Sequence, residues 1–118
     1  MNKTIITTSV LALFAGASWA IENNVVFENK TIERTGESNV LINGGYASTT
    51  EALTVDSLSF KDNSLSTTAT GANSGIFGGV YQVKNSTLVV EKADILNNDL
   101  QATGGSASRI YGGVAYLS

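Results

Sequence analysis

Ten carboxylates are the side chains of this sequence best suited to chemistry: Glu22, Glu28, Glu33, Glu37, Glu51, Asp56, Asp62, Glu91, Asp94 and Asp99. Two kinds of chemistry suit such a set. Clustered carboxylate oxygens hold Ca²⁺, and a facing pair carries out glycoside hydrolysis. Both require convergence in space. One regular spacing offers it, because Asp56 and Glu91 lie 35 residues apart. The other acids are scattered, and Arg34 and Arg109 share no such spacing. We therefore read the acids as a solvated outer face. No catalytic residue, metal ligand or cofactor-binding residue is assigned, no cofactor is expected, and the chain is expected not to be an enzyme.

Composition closes further routes. The 118 residues include no cysteine, histidine or proline. Zinc fingers, haem attachment, Cys–His or Ser–His nucleophile systems and disulfide frameworks are excluded. With 7 basic against 10 acidic residues the net charge is −3, so few phosphates could be neutralised and no nucleic acid is expected as a partner. The segment Gly104-Gly105-Ser106-Ala107-Ser108 lacks the Gly-Lys-Ser/Thr of a phosphate-binding loop. Charged residues make up only 14 %, against roughly 25 % in an ordinary soluble domain. Tyr46, Tyr81, Tyr111 and Tyr116 lie near glycine pairs. They are expected to pack over glycines of a neighbouring repeat rather than to form a binding stripe.

Those glycine pairs organise the chain. Gly44-Gly45, Gly78-Gly79 and Gly112-Gly113 are spaced by 34 and 34 residues. A second marker ends in asparagine: Val26-Phe27-Glu28-Asn29, Phe60-Lys61-Asp62-Asn63 and Ile95-Leu96-Asn97-Asn98. A third links Leu53-Thr54-Val55 to Leu88-Val89-Val90, 35 residues on. Leu53, Val55 and Ser57 alternate with Thr54, Asp56 and Leu58, which reads as strand. The small polar segments 66–75 and 101–108 read as loops or weak strands. Short strands, glycine turns and a sustained period predict an all-β solenoid whose equivalent residues stack about 4.8 Å apart. Asn29, Asn63 and Asn98 are expected to form a side-chain ladder, with Phe60 and Ile95 pointing inward.

The alternation of these two markers resembles the Gly-Gly-Ala-aliphatic and Phe-x-x-Asn repeats of the polymorphic outer-membrane proteins, which are autotransporters. Phe60-Lys61-Asp62-Asn63 matches outright. Gly78-Gly79-Val80-Tyr81 and Gly112-Gly113-Val114-Ala115-Tyr116 match with valine in place of alanine. Ile95 replaces the phenylalanine of the third copy. In the first copy Phe27 sits one place late and Tyr46 follows the glycines. The resemblance implies a right-handed parallel β-helix of about three 34–35-residue repeats, a surface passenger acting in adhesion or host contact. Such proteins carry a C-terminal translocator barrel, which is not encoded here, and the chain stops inside a motif at Tyr116-Leu117-Ser118. An N-terminal or truncated passenger fragment is the expectation. A fragment of a polysaccharide-acting β-helix enzyme and a remnant without independent function are the alternatives.

Residues 1–20 have the layout of a secretory signal peptide: Lys3, an apolar run from Ile5 to Gly16, and Ser18-Trp19-Ala20 at the cleavage point. Cleavage would leave residues 21–118 with 6 basic and 10 acidic residues, a net charge of −4. The Sec export machinery is then a partner, and host-surface or other cell-surface molecules are the expected targets. No transmembrane helix is expected in the mature region. The expected location is the cell surface or outer membrane within a full autotransporter, and otherwise the periplasm or the medium. An open solenoid end exposes unpaired strand groups, which predicts self-association.

Overall fold

The structure, a computed structural model, describes residues 19–118. Residues 1–18, which fall within the expected signal peptide, lie outside the described residues. The chain begins with strands β1 (Trp19–Glu28), β2 (Thr31–Gly36), β3 (Val40–Asn43) and β4 (Ala47–Thr49). The second repeat supplies β5 (Ala52–Lys61), β6 (Ser64–Ala69), β7 (Asn73–Phe77) and β8 (Tyr81–Val83). The third supplies β9 (Leu88–Leu96), β10 (Asp99–Thr103), β11 (Ala107–Tyr111) and β12 (Ala115–Leu117). No helix occurs among the described residues, so none is long and apolar enough there to cross a membrane.

Each repeat places one strand in each of four three-stranded sheets, ordered β1-β5-β9, β2-β6-β10, β3-β7-β11 and β4-β8-β12. Every pairing is parallel. The protein is thus all-β with parallel strands in stacked sheets, an arrangement compatible with a β-helix-like fold. The predicted period is the register itself. Phe27, Phe60 and Ile95 are successive partners, at offsets of 33 and 35 residues. Ile42, Ile76 and Ile110 are partners at 34 and 34. Single-residue differences between connections absorb the mismatch. Three residues lie between Gly36 and Val40, and four between their partners Ala69 and Ser74.

One local expectation needs correction. Strict alternation would bury Ser57 and expose Leu58, but Leu58 and Phe60 are buried with Leu53 and Val55. Asp56 and Ser57 both stay outside the core, which moves the inward phase by one place. A regular period would have exposed Leu58 and Phe60 at about 2 kcal/mol each, so burial overrides it. The polar segments 66–75 and 101–108 are largely strand, contributing to β6, β7, β10 and β11. Their inward residues include Thr67, Ala69 and Ser74, so no apolar alternation marked them.

The core runs through the middle repeat, with Leu53, Val55, Leu58, Phe60, Leu65, Ile76, Val80, Tyr81 and Val83, and takes Val25, Phe27 and Ile42 from the first. Phe27 stacks on Phe60 with ring centroids 5.6 Å apart. Thr67 Oγ1 and Ser74 Oγ are buried without a hydrogen-bond partner. A buried hydroxyl left unpaired is costly. Thr67→Val, which keeps the shape and removes the hydroxyl, is therefore expected to raise the unfolding free energy by about 1 kcal/mol. A urea titration with unchanged slope checks it.

Candidate functional site

The carboxylates do not converge. Among the described residues no group of three or more His, Cys, Asp or Glu side chains is placed to hold a metal ion. Asp56 and Glu91 are exposed on neighbouring strands β5 and β9, at the point where the inward phase shifts. Their common place follows from the parallel register, in which Val55 pairs with Val90 and Ser57 with Lys92. Asp62 occupies a turn with φ 57°, and Asp99 accepts a hydrogen bond from Gln101 Nε2 at 3.0 Å.

One charged row does form, on the outer face of the β1-β5-β9 sheet. Lys61 Nζ lies 3.0 Å from Asp94 Oδ2 and 3.9 Å from Glu28 Oε2, and Ser59 Oγ donates to Glu28 Oε2. Parallel register brings these residues side by side, since Glu28 pairs with Lys61 and Ser59 with Asp94. The hydrogen bond from Lys61 to Asp94, and the negative charges of Asp94 and Glu28, raise the lysine pKa. The row is solvent-exposed, where ion pairs contribute little. It staples three strands together.

The interior polar groups are more ordered. Asn63 is 2 % exposed. Its Oδ1 accepts from the Lys30 main-chain N–H at 2.9 Å. Its Nδ2 donates to the Phe27 carbonyl at 2.7 Å and to Asn98 Oδ1 at 2.8 Å. Asn98 repeats the pattern one layer on, accepting from the Asn63 N–H at 3.1 Å and donating to the Phe60 carbonyl at 2.6 Å. The expected ladder therefore holds for Asn63 and Asn98 but not for Asn29. The residue before each rung has a left-handed backbone: Asn29, Asp62 and Asn97 have φ of 56°, 57° and 56°. Asn29 is thus the counterpart of Asp62, and Lys30 stands where the first rung would be. The aligned Phe27↔Phe60 pair was the signal for this register. Anchoring the repeat on asparagine shifted it by one.

The tyrosines fall into two groups. Tyr46 and Tyr81 meet edge to face with centroids 5.5 Å apart, and Tyr46 also packs on Phe27 at 6.3 Å. Tyr111 and Tyr116 stack with centroids 5.7 Å apart beside Phe77. They contact other rings, and the aromatic side chains found against glycines are Phe77, at Gly75, and Phe60, at Gly79.

Tyr81 is buried and its hydroxyl donates to Glu22 Oε1 at the wall of a cavity of about 150 Å³. Burial, reinforced by that hydrogen bond and the Glu22 charge, pushes the Tyr81 hydroxyl far above the ordinary tyrosine value. Tyr46 moves in the same direction through burial and the Glu22 charge. A phenol held neutral in this way is a brace, neither base nor nucleophile near neutral pH. Because the folded pKa is raised, the stabilisation is full below the unfolded value of about 10 and falls as pH rises beyond it. The urea midpoint is expected to decline above about pH 10, and more shallowly in Tyr81→Phe.

Cleavage after Ala20 would fall inside β1. It would remove the register pairs Trp19↔Ala52 and Ala20↔Leu53 and leave Ile21–Glu28 in the sheet. Comparison of this chain with protein-family models, with curated proteins and with solved structures finds no match.

Proposed function

We propose that this chain is a non-catalytic, exported β-solenoid: a right-handed parallel β-helix of three repeats that presents an adhesive outer surface, in the manner of an autotransporter passenger. The observation that carries the reading is the pairing of each strand with its counterpart one repeat away, in four parallel sheets at offsets of 33 to 35 residues. Such a stack places inward residues in columns and leaves the outer face free to vary. Inside, the buried asparagine joins all three layers. Outside, sheet β3-β7-β11 carries amides and rings, with Asn73 Nδ2 donating to Asn39 Oδ1 at 3.1 Å and Phe77 beside Tyr111. Polar amides with partly exposed aromatics suit contact with a host or cell-surface molecule.

The test has two parts. The 118-residue chain is expressed in a Gram-negative host, cells are fractionated, and the N-terminus of the exported product is sequenced. A product beginning at Ile21 outside the cytoplasm is expected. Purified product on beads should then attach to host cells more strongly than albumin-coated beads. An uncleaved cytoplasmic chain would overturn export, and attachment no better than albumin would overturn adhesion.

A further inference from the structure

The carboxylates avoid half of the stack. Residues 38–50, 63–90 and 100–118 contain no Asp or Glu, so the six strands of sheets β3-β7-β11 and β4-β8-β12 carry none, in a chain of net charge −3. Two cations stand there, Arg109 in β11 and Lys84 directly after β8, and both are exposed. The ion pairs among the described residues both belong to Lys61. Neither the Arg109 nor the Lys84 side chain has a partner among those residues.

The outer faces of the same two sheets hold three partly exposed rings. Ile76 and Ile110 share one column, and Ile76 is buried, so Phe77 and Tyr111 beside them point outward. Gln82 and Tyr116 form an outward column of the next sheet, Gln82 lying between the core residues Tyr81 and Val83. Phe77 and Tyr111 reach Tyr116 with centroids 5.4 and 5.7 Å apart. Outward side chains of two adjacent sheets converge in this way at an inside corner, and Gln82, 7 % exposed, lies on its floor. Gly75 lets the Phe77 ring lie low, since a Cβ there would sit 3.0 Å from Phe77 Cε2. The strand partner of Gly75 is Arg109, so the ring lies beside the arginine. Lys84 continues the outward row of β8, two places after Gln82, and its main-chain N–H donates to the Thr49 carbonyl at 2.9 Å. The corner opens at right angles to the stacking direction, so whatever adjoins either end of the stack leaves it uncovered.

We propose that this corner binds an acidic glycan, a chain of pyranose rings bearing carboxylates, with sugar faces on Phe77, Tyr111 and Tyr116 and carboxylates on Arg109 and Lys84. This rests on the adhesive reading above and names the chemical class of its ligand. Three features select that class. Aromatic faces take a flat apolar surface, and a pyranose presents C–H groups on its faces and hydroxyls at its edge. The unpaired guanidinium is a two-pronged donor that fits a carboxylate, and the two sheets hold no carboxylate to repel it. Layers stacked about 4.8 Å apart lie close to the length of one sugar unit, so consecutive sugars meet consecutive layers. Toward the first layer the corner turns polar, with Asn43 exposed in the Phe77 column and Ser48 exposed in the Gln82 column. Sugar hydroxyls find hydrogen-bond partners there.

Calorimetric titration of the full chain with hyaluronan and polygalacturonate oligosaccharides tests this, with far-UV circular dichroism as the check of fold. Saturable binding of at least one, with a dissociation constant below about 1 mM, is expected. The same oligosaccharide with its carboxyl groups reduced to alcohols should bind about tenfold more weakly or worse. Arg109→Gln and Tyr111→Ala should each weaken binding of the acidic form about tenfold, through the lost charge-assisted bond and the lost ring. Lys92→Gln removes the same charge from an exposed position in β9 and should change binding less than about twofold. All three variants should keep the β-rich spectrum. Equal affinity for the reduced oligosaccharide, or equal losses in Arg109→Gln and Lys92→Gln, overturns the proposal, as does a β-rich chain that binds neither glycan. Attachment of chain-coated beads to host cells separates the two readings. Attachment without glycan binding overturns the acidic glycan and leaves adhesion standing, with a protein as its partner. Glycan binding without attachment overturns adhesion and keeps the glycan site.

Discussion

Asn63→Ala is expected to lower the unfolding free energy by about 4 kcal/mol, more than a typical core truncation to a smaller aliphatic side chain. The size follows from what the amide holds. Removing it strands the Lys30 N–H and the Phe27 carbonyl, and takes one of two donors from Asn98 Oδ1, which keeps the Asn63 main-chain N–H. A buried group left without its partner costs about 1–3 kcal/mol, and two such groups are left in a site that water does not reach freely. Asn63→Asp is instructive beside it. The carboxylate still accepts from Lys30 but cannot donate to the Phe27 carbonyl, so it should rescue only part of the loss. Asn98→Ala should cost less, because Asn98 lies in the outer layer and is only partly buried. Urea titrations of the three variants measure the ordering. Equal losses for Asn63→Ala and Asn98→Ala would show that burial does not set the strength of the ladder.

Gly79→Ala is expected to cost about 3 kcal/mol, while Gly113→Ala, at the same place one layer on, should stay within about 0.5 kcal/mol. The argument is steric. The Gly79 N–H donates to the Gly113 carbonyl at 3.1 Å, and a Cβ on Gly79 would overlap that oxygen while also meeting Phe60 Cζ at 3.1 Å and Leu100 Cδ2 at 3.3 Å. Backbone cannot yield as a flexible side chain can, so the layers must separate and the hydrogen bond lengthen. On Gly113 the added methyl meets nothing within 4 Å. Thermal unfolding compares the pair. A large loss in both variants would mean that the damage is conformational and not a clash between layers.

The first glycine of each pair acts differently from the second. Gly44, Gly78 and Gly112 have φ of 68°, 79° and 64°, the left-handed region that glycine enters freely. A glycine pair offers two things by residue type alone, a turn with φ > 0 and a close approach of the neighbouring backbone. The structure divides the work: the first turns the chain, and the second lets the next layer approach.

Legibility follows the same division elsewhere. The period, the strand-forming character of residues 53–61 and the inward direction of Phe60 were all readable, because a parallel stack repeats a column of like residues at a fixed offset. The first rung of the asparagine ladder was misread because Asn29 and Asn63 look equivalent by residue type. They differ by one place in register, and only the partners Phe27↔Phe60 reveal it. Strands β6, β7, β10 and β11 were obscure for another reason. Their inward positions include Thr67, Ser74 and Ala69, and strand reading depends on a contrast between apolar and polar faces that such residues do not supply.

By itself, then, the sequence determined an all-β chain with three copies of one unit, and excluded the chemistries that need cysteine or histidine, since these depend on composition and spacing alone. The tertiary structure decided which residues share a column, which glycine touches the neighbouring layer, that Lys30 stands in a ladder position, and that the carboxylates remain apart. Those facts depend on register between strands 33 to 35 residues distant. Register is set by the summed burial of whole layers, and a one-residue shift in a single connection changes it without altering any local pattern.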